Sequence, residues 1–241
     1  MRGIIIAGGK GKRLQPLTKT INKNMLPVYD KPMIYYSIQM LADAGIKEIL
    51  IVTGTDHSGQ FMSLLESGDE FGVKLHYEVQ KKPLGPANAI EVAKDFAKGE
   101  KVIVVFSDNI LEDDIKKHVE EFKKQGEGAR AFLKEMPDPK RFGVAEIKEN
   151  KIVSIEEKPE HPKSNFAILG LYMYDDKVFD IISALKPSVR GEYEVTDVLS
   201  EYMKKGLLTY EVLEGNWSDA GTFDSLLEVN NWMAKKSRQK K

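Results

Sequence analysis

A loop of alternating glycines and basic residues, AGGKGKR, follows the first apolar segment of the chain. Without a Cβ, the glycines could let backbone N–H groups approach a polyphosphate closely, and the basic side chains could neutralise its charge. The glycines are Gly8, Gly9 and Gly11, and the nearby cations include Arg13 and Lys23. A surface turn with solvated bases explains the same residues equally well, so this loop needs support from the rest of the chain.

Two common phosphate-binding motifs do not fit this loop. A Walker A loop needs a glycine where Ile6 stands and a hydroxyl residue where Arg13 stands. A dinucleotide fingerprint read from Gly9 and Gly11 needs another glycine at the position of Leu14. The sequence therefore predicts a phosphate site of a different class.

Carboxylates follow two of the predicted strands. The apolar run VIVVF leads directly into Ser107, Asp108 and Asn109, and Asp219 lies in NWSDAGT, just after a predicted strand and before a helix. Ligands of open α/β sheets bind beyond the carboxyl ends of the strands, so both aspartates should face the crevice of the glycine loop. A helix cap explains either aspartate alone. Together, with no His or Cys nearby, they favour Mg²⁺.

A further acid and two further cations lie in the second half of the chain. Alternation places Val153, Ile155 and Glu157 on one face of a hairpin strand, and Lys158 follows at once. A structural ion pair explains Glu157 and Lys158. The alternative is a sugar site, in which Glu157 accepts hydrogen bonds from hydroxyls and Lys158 contacts a phosphate, with Arg190 as a second phosphate contact.

The histidines indicate no general base, because all four lie outside these stretches. A nucleophile that is already ionised would need no base. A sugar phosphate meets this condition, since the second pKa of a phosphate monoester is about 6.

The elements that would position these residues alternate in type. Apolar β-rich runs and helical patterns alternate through the first half, which predicts βαβ units, an α/β fold and a mostly parallel sheet. The predicted strands are 3–7, 48–53, 74–79, 102–106 and 208–213, with a hairpin from residue 143 onward. One predicted helix begins at Pro32 and ends before Gly45. The other predicted helices span 86–97, 113–124, 192–205 and 222–236.

Composition limits the class of protein. The chain has 241 residues, 41% hydrophobic, enough for one sizeable core, and we expect a single domain over 1–241. A formal net charge of -1 favours neither nucleic acid nor an anionic membrane as a partner, and we expect the KKSRQKK tail to be a frayed, solvated end. Without cysteines the chain has no disulfides and no thiolate metal sites.

No signal-length or bilayer-spanning apolar run is found, so we expect a cytoplasmic protein.

Many short stretches together resemble the sugar-1-phosphate nucleotidyltransferases, most closely the short thymidylyltransferase branch of that family. The resemblance covers nearly the whole chain, and its order and spacing are very specific. The matching stretches are IIIAGGKGKRLQPLT, NKNMLPVYDKPMIYYSIQML, VQKKPLGPANAI, SDNI, RFGV, EEKP, KSNFAILGLYMYD, KPSVRGEYEVTD and WSDAGT.

The resemblance implies a Rossmann-like core, mainly residues 1–125, that binds the nucleotide, and a sugar-phosphate-binding part with a small β-hairpin insertion, mainly residues 126–220. It implies that the glycine loop, Arg13 and Lys23 bind the triphosphate, Gln80 and Gly85 read the base, and Asp108 and Asp219 hold Mg²⁺. The residues implied around the sugar phosphate are Asn109, Gly143, Glu157, Lys158, Ile168, Tyr172 and Arg190. The implied catalytic residues are Arg13, Lys23, Asp108 and Lys158.

The implied reaction is Mg²⁺-dependent transfer of a deoxythymidylyl group from dTTP to glucose 1-phosphate, giving dTDP-glucose and pyrophosphate. A uridylyltransferase for a related hexose 1-phosphate, a non-catalytic nucleotide-sugar sensor and a glycosyltransferase remain alternatives. The partners are then small molecules, with homo-oligomer formation left open. Longer members continue into a C-terminal helical segment with an allosteric nucleotide site, which we do not expect here.

The chain departs from the family pattern at several positions. Lys10, Lys12, Asn24 and Pro86 stand at positions of the triphosphate and base pockets where other residues are usual. The stretches SDNI and WSDAGT also differ from the commoner GDN and WLDTGT, although both aspartates remain. The departures at the triphosphate and base pockets bear on the choice of nucleotide, whereas both aspartates that the reaction needs are present.

Overall fold

A nine-stranded sheet forms the centre of the computed structural model, which describes residues 1–239. Two short two-stranded sheets accompany it within that range. The strands are β1 Arg2–Ile6, β2 Pro27–Val28, β3 Lys31–Pro32, β4 Glu48–Gly54, β5 Lys74–Gln80, β6 Val102–Phe106, β7 Ile110–Leu111, β8 Ala129–Glu135, β9 Gly143–Lys148, β10 Lys151–Glu157, β11 Phe166–Tyr174, β12 Leu208–Val212 and β13 Trp217–Ser218. The α-helices are α1 Met33–Asp43, α2 Ser58–Leu65, α3 Pro86–Glu91, α4 Lys94–Ala97, α5 Lys116–Lys124, α6 Val178–Ala184, α7 Val195–Lys204 and α8 Phe223–Gln239.

The first half of the chain forms the parallel part of the sheet, in the order β6, β1, β4, β5. Strands β1, β4 and β6 are largely apolar because helices cover both of their faces. Strand β5, at the edge of the sheet, alternates apolar and polar residues. Ile4 of β1 packs on the side of α3, α6 and α7, whereas Ile5 packs on the side of α1, α2 and α5. The predicted α/β fold with a mostly parallel sheet is confirmed, since the central strands pair in parallel and helices cover both sheet faces.

The second half adds antiparallel strands around β11. The carboxyl-terminal part of β11 pairs with β6, while its first residues pair with β9. The predicted hairpin is β9 and β10, joined by Glu149 and Asn150, whose φ angles are +49° and +58°. Sequence analysis assigned no strand to β8 or β11, and no helix to α2 or α6.

Several predicted helices have different bounds in the structure. The helix predicted over 192–205 begins at Val195, because Glu194 is extended and the backbone of Tyr193 bonds instead to Leu84 and Ala87. The helix predicted over 86–97 is two short helices, α3 and α4.

The last helix, α8, packs against β2 through Val229, which is fully buried. It continues to Gln239, so most of the KKSRQKK segment is helical, and the last two lysines lie outside the described residues. None of the helices within 1–239 has the length and apolar character needed to span a bilayer.

The buried Asp175 links the end of β11 to its surroundings. It is 3% exposed and accepts hydrogen bonds from the Gly128 N–H at 2.6 Å and from the hydroxyl of Tyr202. Burial and this carboxylate together raise the pKa of Tyr202. Asp175 therefore satisfies two donors that have lost contact with water.

We predict that Asp175→Ala lowers the free energy of unfolding by roughly 2–4 kcal/mol, because both buried donors lose their acceptor. Urea denaturation measures this change. The matched control is Asp176→Ala, which removes the exposed neighbouring carboxylate and should change stability by less than about 0.5 kcal/mol. Equal effects of the two substitutions would contradict the assignment.

Candidate active site

Two clefts lie at the carboxyl ends of the parallel strands. The acidic cleft, about 200 Å³, is lined by carboxylates and by residues of β11 and the β9–β10 hairpin. The glycine cleft, about 400 Å³, lies between the glycine loop and the ends of β4 and β5. Lys23 connects them, since its Cε would lie 3.4 Å from a Cβ on Gly9 and its Nζ pairs with Asp108.

The structure brings most of the predicted site residues into these clefts. Those in the acidic cleft are Arg13, Asp108, Asn109, Gly143, Glu157, Lys158, Ile168, Tyr172 and Asp219. Those in the glycine cleft are Gly8, Gly9 and Gln80. The remaining four, Gly11, Lys23, Gly85 and Arg190, line neither cleft, but each contacts a residue that does.

Asp108 follows β6 and is 8% exposed. Its Oδ1 accepts a hydrogen bond from Asn109 Nδ2 at 3.0 Å, and its Oδ2 pairs with Lys23 Nζ. Lys23 is positioned by a one-turn 3₁₀ helix, in which Asn22 caps the N–H of Asn24 and Asn24 Nδ2 donates to the carbonyl of Ala7 at 3.0 Å. The cation thus comes from a segment anchored directly to the glycine loop.

Asp219 is 9% exposed, and the pairing of Ser218 in β13 with Ile110 in β7 brings it into the same cleft as Asp108. Each carboxylate oxygen of Asp219 faces one guanidinium, Arg13 Nη2 and Arg141 Nη2, both at 3.5 Å. Two arginines from distant segments therefore share one nearly buried charge.

The two aspartates fit a divalent metal ion in their chemistry. Both line the acidic cleft, whose described lining contains no histidine, so carboxylate and amide oxygens are the available ligands. Mg²⁺ prefers such hard oxygen ligands and usually takes one or two carboxylates. The negative charge of the two aspartates is balanced in the structure by Lys23, Arg13 and Arg141. A bound divalent ion would balance the same charge.

A second charged group surrounds Glu157 at the end of β10. Glu157 Oε1 lies 3.2 Å from Lys158 Nζ and 3.3 Å from Arg190 Nη1, and its Oε2 accepts a hydrogen bond from Thr196 at 3.1 Å. Arg190 also lies 3.6 Å from Glu194, which is 3% exposed. Burial and the nearby Glu157 carboxylate raise the pKa of Glu194. This group combines two cations with carboxylates able to accept from hydroxyls.

Tyr172 lies between the two carboxylate groups. It is 5% exposed and its ring packs edge-on against Phe106, with centroids 5.6 Å apart. Burial, and to a lesser extent the charges of Glu157 and Asp108, raise the pKa of its hydroxyl. The hydroxyl therefore stays protonated and can act as a hydrogen-bond donor.

Strained backbone marks the same site. Lys158 has φ +45° and Ala220 has φ +33°, values that L-residues other than glycine adopt at a cost. Each directly follows a carboxylate of the acidic cleft, Glu157 or Asp219. Such strain is typical of functional sites.

The predicted base-reading residues are linked to each other. Gln80 Nε2 donates to the carbonyl of Gly85 at 3.2 Å and to Asn88 Oδ1 at 2.9 Å. Its Oε1 faces the glycine loop, 3.6 Å from the position of a Cβ on Gly8. Gly85 has φ +111°, and a Cβ there would lie 2.6 Å from the backbone nitrogen of Tyr193. Only glycine allows this close approach of the two loops.

The comparisons with known proteins agree with this geometry. Residues 2–236 match the model of the nucleotidyl transferase family. The chain belongs to this family. A glucose-1-phosphate thymidylyltransferase from Neisseria meningitidis is 41% identical to this nucleotidyl transferase over 237 residues, which cover 97% of the chain and 82% of the relative.

Solved structures give the same result. A candidate glucose-1-phosphate thymidylyltransferase from Bacillus anthracis, solved in complex with sucrose, has a TM-score of 0.93 and 50% identity, covering 96% of this chain and 94% of its own. A UDP-glucose pyrophosphorylase solved with UDP-glucose has a TM-score of 0.86 and 26% identity, covering 98% of each chain. The predicted resemblance to the thymidylyltransferase branch is confirmed.

The acidic cleft is also lined by residues that were not predicted, among them Arg141, Glu194, Thr196 and Trp217. Each of these four lies within a stretch that carried the resemblance, namely RFGV, GEYEVTD and WSDAGT. Arg141 had the clearest signal, because an arginine beside a site glycine is a candidate partner for a carboxylate or a phosphate.

We predict that Glu194 makes stability depend on pH. Because its pKa is raised above the ordinary value of 4.5, its contribution is fully present below about that pH and is lost as pH rises through the raised pKa. Glu194→Gln has no group to ionise, so its stability relative to the wild type should improve between pH 4.5 and neutral pH. Urea denaturation at both pH values measures this difference.

The control is Glu192→Gln, which removes a half-exposed carboxylate that also contacts Arg190, at 3.5 Å. Water solvates that carboxylate, so the corresponding change with pH should be smaller. A pH-independent difference between Glu194→Gln and the wild type would refute the prediction.

Proposed function

We propose that this nucleotidyl transferase transfers a deoxythymidylyl group from dTTP to glucose 1-phosphate, giving dTDP-glucose and pyrophosphate, with Mg²⁺ as cofactor. One observation carries the proposal: Lys23 connects the glycine cleft to an acidic cleft that contains both aspartates, Glu157 and Lys158. Arg190 contacts this cleft through Glu157. A triphosphate and a sugar phosphate bound in the two clefts would meet at Asp108. Residues 1–125 would mainly bind the nucleotide, and 126–220 the sugar phosphate.

The nucleophile is the phosphate of the sugar. Its second pKa of about 6 leaves it largely dianionic at neutral pH, so the enzyme needs no general base. An oxygen of that phosphate attacks the α-phosphorus of dTTP, forming the new P–O bond as the bond to pyrophosphate breaks. The acidic cleft accordingly has no histidine among its described lining residues.

The chain's cations solve the electrostatic problem of joining two anions. Lys158 and Arg190 would bind the sugar phosphate, while Arg13 and Lys23 would bind the triphosphate, so that both phosphates are neutralised and held in line. Glu157 and Thr196 would contact the sugar hydroxyls, as their positions in the cleft allow. Catalysis would therefore come from positioning and charge neutralisation.

Asp108 and Asp219 would hold the Mg²⁺, which when bound neutralises charge on the triphosphate. Lys23 would leave Asp108 for a phosphate as the ion arrives. Arg13 and Arg141 lie 3.5 Å from Asp219, close enough to exchange this carboxylate for a phosphate in the same way.

Two alternative functions differ from the proposed one in what the protein would release. A non-catalytic sensor would bind both ligands without releasing pyrophosphate, and a glycosyltransferase would release a nucleoside diphosphate. An assay of pyrophosphate release from dTTP and glucose 1-phosphate separates all three. Absence of pyrophosphate in the presence of Mg²⁺ would overturn the proposed function.

We predict that Asp108→Asn lowers turnover by about 10²-fold or more, because it removes the charge that holds the metal while keeping the side-chain size. Steady-state pyrophosphate release at saturating dTTP measures the loss. Asp95→Asn removes an exposed carboxylate in α4 and should leave turnover unchanged. Near-normal turnover of Asp108→Asn would exclude the metal assignment.

We predict that dTTP is preferred, UTP is used more slowly, and purine nucleotides are poor substrates. Gln80 Oε1, which faces the glycine loop, can accept the N3–H that thymine and uracil share. The two bases differ by one methyl group, and a pocket distinguishes a methyl by roughly 10 to 200-fold. Competition kinetics of kcat/KM measure the ratios. Use of ATP or GTP as well as dTTP would rule out the base-reading role of Gln80.

A further inference from the structure

The indole of Trp217 forms a hydrogen bond with Asn109, the residue next to Asp108. Trp217 Nε1 donates a hydrogen bond to Asn109 Oδ1 at 2.9 Å. The same oxygen accepts the N–H of Gly170 at 2.8 Å. Asn109 is 5% exposed, so these contacts are made away from bulk water.

The two donors determine how the Asn109 amide is oriented. Because its oxygen faces two N–H groups, its Nδ2 must point the other way, and it donates to Asp108 Oδ1 at 3.0 Å. If the amide turned over, its oxygen would face the carboxylate and its NH₂ would face two donors. Trp217 and Gly170 therefore indirectly fix the orientation of Asp108.

The surrounding fold supports this chain of contacts. The register of β11 against β8 shifts between Ile168 and Tyr172, and the N–H of Gly170 within this stretch points to Asn109. A Cβ on Gly170 would lie only 2.6 Å from Asn109 Nδ2. Trp217 is held by pairing with Leu111 in β7 and by an edge-on contact with Phe142, whose ring centroid is 5.1 Å away.

We infer that Trp217 is a positioning residue for the metal site: its indole N–H orients Asn109, which holds the Asp108 carboxylate with one oxygen directed to Lys23 or to a metal ion. This inference rests on the proposed function, in which Asp108 binds Mg²⁺. Phenylalanine at this position would keep an aromatic ring against Phe142 and lose only the donor and some volume.

The chain offers a matched control, because it contains just two tryptophans, Trp217 and Trp232. Trp232 Nε1 is buried and has no hydrogen-bond partner among the residues that the structure describes. Trp232→Phe therefore removes the same atoms as Trp217→Phe without breaking a hydrogen bond. A difference between the two variants reports the Trp217 hydrogen bond.

The first measurement is the affinity for Mn²⁺ in the absence of substrates, detected by electron paramagnetic resonance. Trp217→Phe should weaken binding about tenfold, which corresponds to about 1.4 kcal/mol, and Trp232→Phe should not change it. Turnover of Trp217→Phe should fall by a similar factor with little change in the KM for dTTP. Equal Mn²⁺ affinity in the two variants, or an equal loss of turnover in both, would overturn the inference.

The second measurement is the indole N–H signal in ¹H–¹⁵N spectra, where Trp232→Phe leaves Trp217 as the single indole. Its signal should exchange slowly with solvent and should move when Asn109→Ala removes the acceptor. An unmoved signal in Asn109→Ala would show that the hydrogen bond is absent. This measurement keeps Trp217 in place, so it tests the inference even if Trp217→Phe does not fold.

The two proposals can fail separately. If the wild type releases no pyrophosphate, the proposed function falls, while metal binding and the indole signal still test the role of Trp217. If the wild type is active and Trp217→Phe behaves as Trp232→Phe does, the positioning role falls alone.

Discussion

The site depends on one constraint: carboxylates held almost out of water need opposite charges beside them. Asp108 and Asp219 are 8% and 9% exposed, and burying a charge without a partner is costly. Their partners Lys23, Arg13 and Arg141 come from segments far apart in the sequence. Charge neutralisation therefore joins the glycine loop, the end of β6 and the segment after β13, and the site forms only when these segments come together.

A second link connects the parts proposed to bind the nucleotide and the sugar. The N–H of Tyr193 donates to the carbonyl of Leu84 at 2.8 Å, and the N–H of Ala87 donates to the carbonyl of Tyr193 at 3.0 Å. Gln80 bonds to the same loop through Gly85, while Glu194, next to Tyr193, contacts Arg190. A shift in the loop proposed to read the base would therefore also move the contacts of the cation proposed for the sugar phosphate.

The sequence predicted the parts of this arrangement that follow local rules. Apolar runs identified the parallel strands, and the position of Asp108 at a strand end placed it in the crevice. Strand β11 was missed because a continuous apolar run such as FAILGLYMY does not distinguish a strand from a buried helix. The role proposed for Trp217 depends on its hydrogen bond to Asn109 and on the irregular pairing of β11, tertiary features that no spacing in the sequence reveals.

The electrostatic arrangement also bears on how the proposed substrates would bind. In the structure, Lys23 and Arg13 pair with aspartates, and Arg190 pairs with Glu157 and Glu194. The same cations are those proposed to bind phosphates, so binding would exchange one anionic partner for another. The carboxylates released at Asp108 and Asp219 would need a new cation, and a divalent ion arriving with the triphosphate supplies it. Metal and nucleotide binding should therefore be mutually dependent, because each completes the charge balance that the other disturbs.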